Sequence, residues 1–387
     1  MPELAAAARA SSRLPRFDVP ASDWCERANT IAADSVVRLS WRAAFRLGDA
    51  VLELASDCDA LIGELADHYS ECEVSLGDPQ AATLPRIRCT VRTAERARLV
   101  LLRFESPPAA APIDIALGLL KHPATNPEYT EGAPLADGWR TIVHAATGTP
   151  AAAARRNDLI IDLPRVGTRL LCRLLVDAVL GLQRTLLFAH AASVGIGGAG
   201  VLLVGPSGSG KTTTAVSLAS RGHRYFGDDV AAIRLQSAEL LPFWRIAHMR
   251  PGPHARSLES HFAEGVWDAP YTDGLPRLRL RVADAFPNAA GEASSPLPLA
   301  RVLFLRGFAA RPRIERFTPQ ATHFAAGSRF ALNNTLWVAW GTSPRLRLLQ
   351  FVAFLRLLER VPCAWLDAGE PEATADLIEH GLEDTCH

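Results

Sequence analysis

Ala199-Gly-Val-Leu-Leu-Val-Gly-Pro-Ser-Gly-Ser-Gly-Lys-Thr212 is an apolar run that empties into a glycine-rich loop. The residues after it, Thr212 to Arg221, read as a helix closed by Gly222 at C′. Strand, Gly-x-x-x-x-Gly-Lys-Thr loop and helix, in that order, form the setting in which this pattern holds phosphate. Glycines let successive N–H groups turn inward, and the helix N-terminus adds partial positive charge. The cradle comprises Gly205, Pro206, Ser207, Gly208, Ser209, Gly210, Lys211, Thr212 and Thr213. In this pattern Lys211 reaches the β- and γ-phosphates of ATP, and Thr212 offers its hydroxyl to Mg²⁺.

Composition sharpens the reading of Lys211. The chain has two lysines, Lys121 and Lys211, and the remaining 39 of its 41 basic residues are arginine. A lysine kept against that bias marks a place where a compact ammonium does what a planar guanidinium cannot.

Upstream, Ala191 to Ile196 and Ala199 to Val204 flank Gly197-Gly198 and read as a tight β-hairpin. Its register sets His190 opposite Gly205, beside the phosphate loop. Downstream, a strand from His223 to Gly227 delivers Asp228-Asp229. If that strand pairs beside the loop strand, its end brings a carboxylate to the same phosphates. Further strands are expected at Ala231–Leu235, Arg301–Phe308 and Pro362–Leu366. A long helix begins at Ser343-Pro344, and an acidic helix ends the chain. Alternating strands and helices with one hairpin predict an α/β domain with a mixed sheet. The helical face Leu171, Leu174, Leu175, Ala178, Val179 and Leu182 precedes it.

Three regions follow: an arm over 1–33, an accessory α+β region over 34–165, and the phosphate-binding domain over 166–387. In the second, Val36 to Leu54 reads as two strands turning near Gly48-Asp49, and Ser56 or Asp57 caps a helix running to about Tyr69. Arg98–Phe104 and Leu159–Leu163 are strand candidates. Leu241 to His254, with Arg245, His248, Arg250 and His254, reads either as a solvated strand–loop segment or as a source of extra cations or substrate contacts. Trp337 and Trp340 read as core.

Balanced charge (41 basic against 41 acidic residues) argues against a general nucleic-acid binder. No apolar run is long enough to span a membrane. Seven scattered cysteines without a Cys-x-x-Cys pair read as reduced thiols of a cytoplasmic protein, with no zinc site or disulfide framework.

His190, the loop from Gly205 to Thr212, Arg221-Gly-His-Arg224 and Asp228-Asp229 together resemble the catalytic core of the HPr kinase/phosphorylase family. The resemblance implies a P-loop domain of the type shared with phosphoenolpyruvate carboxykinase. It also implies an ATP- and Mg²⁺-dependent kinase that phosphorylates a serine of a peptide or small protein. It assigns Asp228 as general base with His190 as its partner, and leaves the metal to Thr212 and Asp229. A homo-oligomer is compatible with it. Pro206, Thr213 and Ala191 depart from the usual bacterial pattern, and no Glu-x-Arg-Gly stretch follows Asp229. The chain thus looks more like the divergent members, some of which tailor peptides made in biosynthetic clusters, and efficient phosphorolysis is not expected. Two other readings compete: a small-molecule kinase and a nucleotide-binding sensor without catalysis.

Overall fold

The structure is a computed structural model. It describes residues 41–75, 83–94, 99–106, 140–147, 155–162, 172, 175, 176, 179, 180, 183, 185–243, 246–250, 252, 256, 266–268, 277–290, 295–316 and 344–383. The 1–33 arm, Arg245, His254, Trp337 and Trp340 lie outside the described residues.

The first sheet has six strands: β1 (Trp41–Leu47), β2 (Ala50–Ser56), β3 (Arg86–Ala94), β4 (Leu99–Ser106), β5 (Arg140–Thr147) and β6 (Arg155–Asp162), ordered β1-β2-β3-β4-β6-β5. The expected turn at Gly48-Asp49 joins β1 to β2. Helix α1 (Asp59–His68) follows, but its N-cap is Cys58, not Ser56 or Asp57. Ser56 instead turns its hydroxyl to the Cys58 N–H, which donates to it at 3.0 Å.

The second sheet carries nine strands. They are β7 (Leu186–Ala189), β8 (Ala191–Ile196), β9 (Ala199–Val204), β10 (Arg224–Gly227), β11 (Ala231–Arg234), β12 (Glu239–Leu241), β16 (Leu297–Phe308), β17 (Arg313–Arg316) and β18 (Cys363–Ala368). A separate three-stranded sheet holds β13 (Ala247–Met249), β14 (Val266–Asp268) and β15 (Arg277–Leu280). The order β10-β8-β9-β16-β12-β11-β7 is mixed: β16 runs parallel to β9 and to β18, and the other pairs are antiparallel. Helices cover both faces. On one, α2 (Lys211–Ser220) buries Ala215, Val216, Leu218 and Ala219 against Val201, Leu203, Leu303 and Leu305, and α4 (Pro371–Glu383) adds Ala375 and Ile378. On the other, Phe354, Leu357 and Leu358 of α3 (Pro344–Leu358) meet Leu202, Val204, Val302 and Phe304. Strict alternation along the strands sends neighbours to opposite layers.

The two sheets share apolar core. Phe45, Leu52, Leu54 and Leu61 pack in one cluster with Leu175, Val179, Phe188, Val230 and Phe243. Gln183 latches the β1–β2 turn: its amide donates to the Leu47 carbonyl at 2.7 Å, and its Oε1 accepts from the Asp49 N–H at 2.7 Å. Five thiols, of Cys58, Cys72, Cys89, Cys172 and Cys363, are unbridged among the described residues. Burial pushes the Cys363 thiol up to about 12, so it stays protonated at neutral pH. No helix among the described residues is long and apolar enough to cross a membrane.

Candidate active site

Gly197 and Gly198 both sit at positive φ (57° and 83°), as a two-residue hairpin turn demands, and the β8–β9 pairs run from Ile196↔Ala199 to Ala191↔Val204. That register brings His190 level with the start of the loop, as expected. The placement of Asp228-Asp229 has a different cause from the one anticipated. Their strand, β10, pairs with β8 and not with the loop strand β9.

What brings the aspartates to the loop is a shared corner. Ser193 pairs with Gly227, and Ala189 pairs with Ala231. The β7–β8 ribbon and the β10–β11 ribbon therefore run in one antiparallel register, and their pairing is interrupted at the same level. Between those pairs lie residues 190–192 on one ribbon and 228–230 on the other. Polar residues at such a break bond one another because no ladder claims them. The corner is pinned by a bulge at Phe226 and by Gly227 at φ 153°, where a Cβ would meet the Phe243 carbonyl at 2.5 Å.

The strand has ended before the aspartates, so both turn toward the site. Asp228 is 1% exposed. Its Oδ2 accepts from the Thr212 hydroxyl at 2.9 Å and its Oδ1 from the Tyr225 hydroxyl at 3.0 Å. Asp229 takes a positive φ of 59°, a conformation that only a few residue types such as Asp tolerate. Its carbonyl accepts from His190 Nδ1 at 3.0 Å, and its carboxylate lies 4.0 Å from the same nitrogen. Because a carbonyl can only accept, Nδ1 carries the proton of this contact. The anticipated division, Asp228 with His190 and Asp229 with Thr212, is thus reversed in these contacts.

Lys211 is 6% exposed, and its ammonium donates to the Gly205 carbonyl at 2.9 Å and the Pro206 carbonyl at 3.2 Å. Burial holds its pKa below the usual lysine range. Asp229 and Asp228 oppose that shift and the Arg250 charge adds to it. No side chain caps the N-terminus of α2, which leaves its first-turn N–H groups aimed at the loop mouth. An anion fits here. Arg250, at the end of β13, donates to the Ser207 hydroxyl at 3.1 Å. Arg250 is exposed, as the solvated-segment reading expects, and of the two readings of this segment its contact with Ser207 also agrees with that of an added cation. His248 stacks on His68 of α1 at 5.3 Å instead.

Among the described residues no group of three or more His, Cys, Asp or Glu could hold a metal alone. A Thr hydroxyl beside one carboxylate is nonetheless the sparse oxygen set that Mg²⁺ accepts, because it keeps waters and phosphate oxygens as its other ligands.

Fold and site together define a mixed α/β domain in which a strand, a glycine-rich loop and a helix meet a histidine–aspartate corner at the loop mouth. Residues 184–242 match the family model described as HPr Serine kinase C-terminal domain. An HPr kinase/phosphorylase of Caldanaerobacter subterraneus is 38% identical over 85 residues, covering 21% of this chain and 27% of that protein. One of Bacillus pumilus is 46% identical over 52 residues, 13% of this chain and 17% of the relative. The match thus spans about a quarter or less of the length of these curated relatives. The HPr(Ser) kinase/phosphatase structure from Coxiella burnetii covers 51% of this chain and 94% of its own at 16% identity, with a TM-score of 0.24 too low to bear on the fold. Over residues 184–242 the chain is thus similar to HPr kinases.

Proposed function

We propose that the chain is an ATP- and Mg²⁺-dependent kinase that transfers the γ-phosphoryl group to a serine hydroxyl of a peptide or small protein. The observation that carries this reading is the Thr212–Asp228 hydrogen bond at the loop mouth, with the His190–Asp229 pair beside it. Phosphoryl transfer asks little covalent chemistry of a protein; it needs a cradle, cations and a base near an in-line hydroxyl. Serine as acceptor follows the family description, and a small protein follows the names of the relatives.

In this reading the loop N–H groups and Lys211 hold the β- and γ-phosphates, and Lys211 exchanges its carbonyl contacts for phosphate oxygens. Thr212 and Asp228 would hold Mg²⁺, which supplies charge neutralisation at the phosphates. The serine oxygen bonds to the γ-phosphorus, the bond to the β-bridging oxygen breaks, and the serine proton passes to the Asp229 carboxylate. Asp229 suits that role because its side chain is 38% exposed, whereas Asp228 is buried under two hydroxyl donors. Family resemblance puts the base at Asp228 instead, so the two assignments predict opposite behaviour. Arg250 adds a cation at the loop tip.

The finer reading is a tailoring kinase for a biosynthetic precursor peptide, working without efficient phosphorolysis. Phosphorylated product given inorganic phosphate should release no pyrophosphate. The test of the main reading is label transfer from γ-labelled ATP to an HPr-type protein and to serine peptides. Tight ATP binding with no label on any serine would replace the kinase by a sensor, and label on metabolites alone by a small-molecule kinase.

A further inference from the structure

Phe308 ends β16 with 49% of its surface exposed, while Phe304 on the same strand is fully buried. Leu303 and Leu305 face the α2 side, together with Ala364 and Leu366 of β18, and Val302 and Phe304 face the α3 side. Regular alternation would send Phe308 after Phe304, away from the loop. Arg306, however, is an extra residue: Leu305 pairs with Leu366, yet Gly307 pairs with Asp367 and Phe308 with Ala368. Cross-strand partners share a face, and Ala368 follows Ala364 and Leu366 at period two. The bulge therefore turns Phe308 onto the α2 side. Its position agrees: a Cβ built on Gly210 would lie 3.0 Å from Phe308 Cζ and 3.8 Å from the Ala368 Cβ. The bulge is held firmly. Arg306 Nε donates to the Asp367 carboxylate at 2.8 Å, and its guanidinium lies over the Trp365 ring at 5.6 Å.

We propose that Phe308 is the stacking platform for the base of the nucleoside triphosphate whose phosphates the loop holds, a proposal that rests on the phosphate-site reading above. Direction supports it. Thr212 and Asp228 mark the terminal-phosphate end, and Asp228 comes from the β8–β10 side of β9. β16 lies on the other side of β9. A nucleotide with its γ-phosphate at Asp228 has its nucleoside on the β16 side, where an aromatic ring lies at the loop mouth. A ring face stacks on a flat base whatever the base's edge pattern, and such stacking is a substantial fraction of a nucleotide's affinity.

The test is calorimetric titration of the full chain, with Mg²⁺ constant, using ATP and inorganic tripolyphosphate. Phe308→Ala should bind ATP roughly tenfold more weakly and tripolyphosphate within about twofold of wild type. Phe308→Leu keeps apolar contact with Gly210 but has no ring face and should behave like Phe308→Ala; Phe308→Trp should retain ATP affinity. Equal losses for both ligands would mean that Phe308 only shapes the loop, and the proposal falls. It also falls if ATP affinity does not change, or if wild type binds the two ligands equally well. Wild type that binds neither removes the phosphate-site reading itself, and the platform with it.

Discussion

On one side of the loop strand, β10 gains a residue at Phe226 and hands over to two carboxylates; on the other, β16 gains one at Arg306 and ends in an exposed phenyl ring. Both bulges break strict alternation at the carboxyl edge of the sheet, and both re-aim a side chain toward Gly205–Thr212. They differ in what surrounds them. The β10 corner is buried and polar: Asp228 is enclosed by Thr212 and Tyr225, and Gly227 has no room for a side chain. The β16 end is open and apolar, and its lock, Arg306 with Asp367, lies at the surface. Buried charge needs fixed partners, because an unpaired carboxylate in the interior is very costly. An apolar platform needs only its face. The acidic side thus suits chemistry at a phosphate, and the aromatic side suits recognition.

Substitutions on the acidic side should show the largest effects. Asp229→Asn should lower phosphate transfer by about 10²–10⁴ at every Mg²⁺ concentration, with ATP affinity within about tenfold of wild type. Asp228→Asn should lose transfer in a manner that raised Mg²⁺ partly restores. Rate measurements over a Mg²⁺ series decide it: if the metal rescues Asp229→Asn and not Asp228→Asn, the base is Asp228. Lys211→Ala should weaken ATP binding by at least about 10², and Lys211→Arg should also impair it badly, since a fork cannot take the place of an ammonium between two loop carbonyls. Undiminished affinity on calorimetry would remove the phosphate site.

Gly227→Ala tests the corner as architecture. The added Cβ meets backbone, not a flexible side chain, so a loss of about 2–3 kcal/mol in denaturant unfolding is expected. A loss under about 0.5 kcal/mol would mean that the corner adjusts freely. The smallest effect belongs to the other bulge. Hydrogen bonding to Arg306 holds the Asp367 carboxyl below the usual aspartate range. A depressed folded pKa gives stability that is present above the unfolded value and lost as pH falls through the folded one. Because the pair is partly exposed, Asp367→Asn should cost less than about 1 kcal/mol at neutral pH. The difference between variant and wild type should shrink as pH falls below about 4. A gap that stays constant through acid would show that the effect is packing.

Elements that depend only on near neighbours in the chain are legible from the order of residues. Gly197-Gly198 specifies a hairpin because two adjacent residues must take positive φ, and Gly205 to Thr212 specifies a glycine-rich turn into a helix because its glycines are close neighbours in the chain. His190 could be placed for the same reason, since hairpin register is arithmetic once the turn is known. The remaining features come from contacts made across the fold. That β10 pairs with β8, that Asp228 binds Thr212 while Asp229 binds His190, that Arg250 touches Ser207 and that Phe308 turns toward Gly210 all depend on pairing between distant segments. A single extra residue at Phe226 or Arg306 inverts the faces that follow it, and nothing local in the sequence announces it. The energy that fixes such a bulge comes from the partner strand and the packed layers on either side.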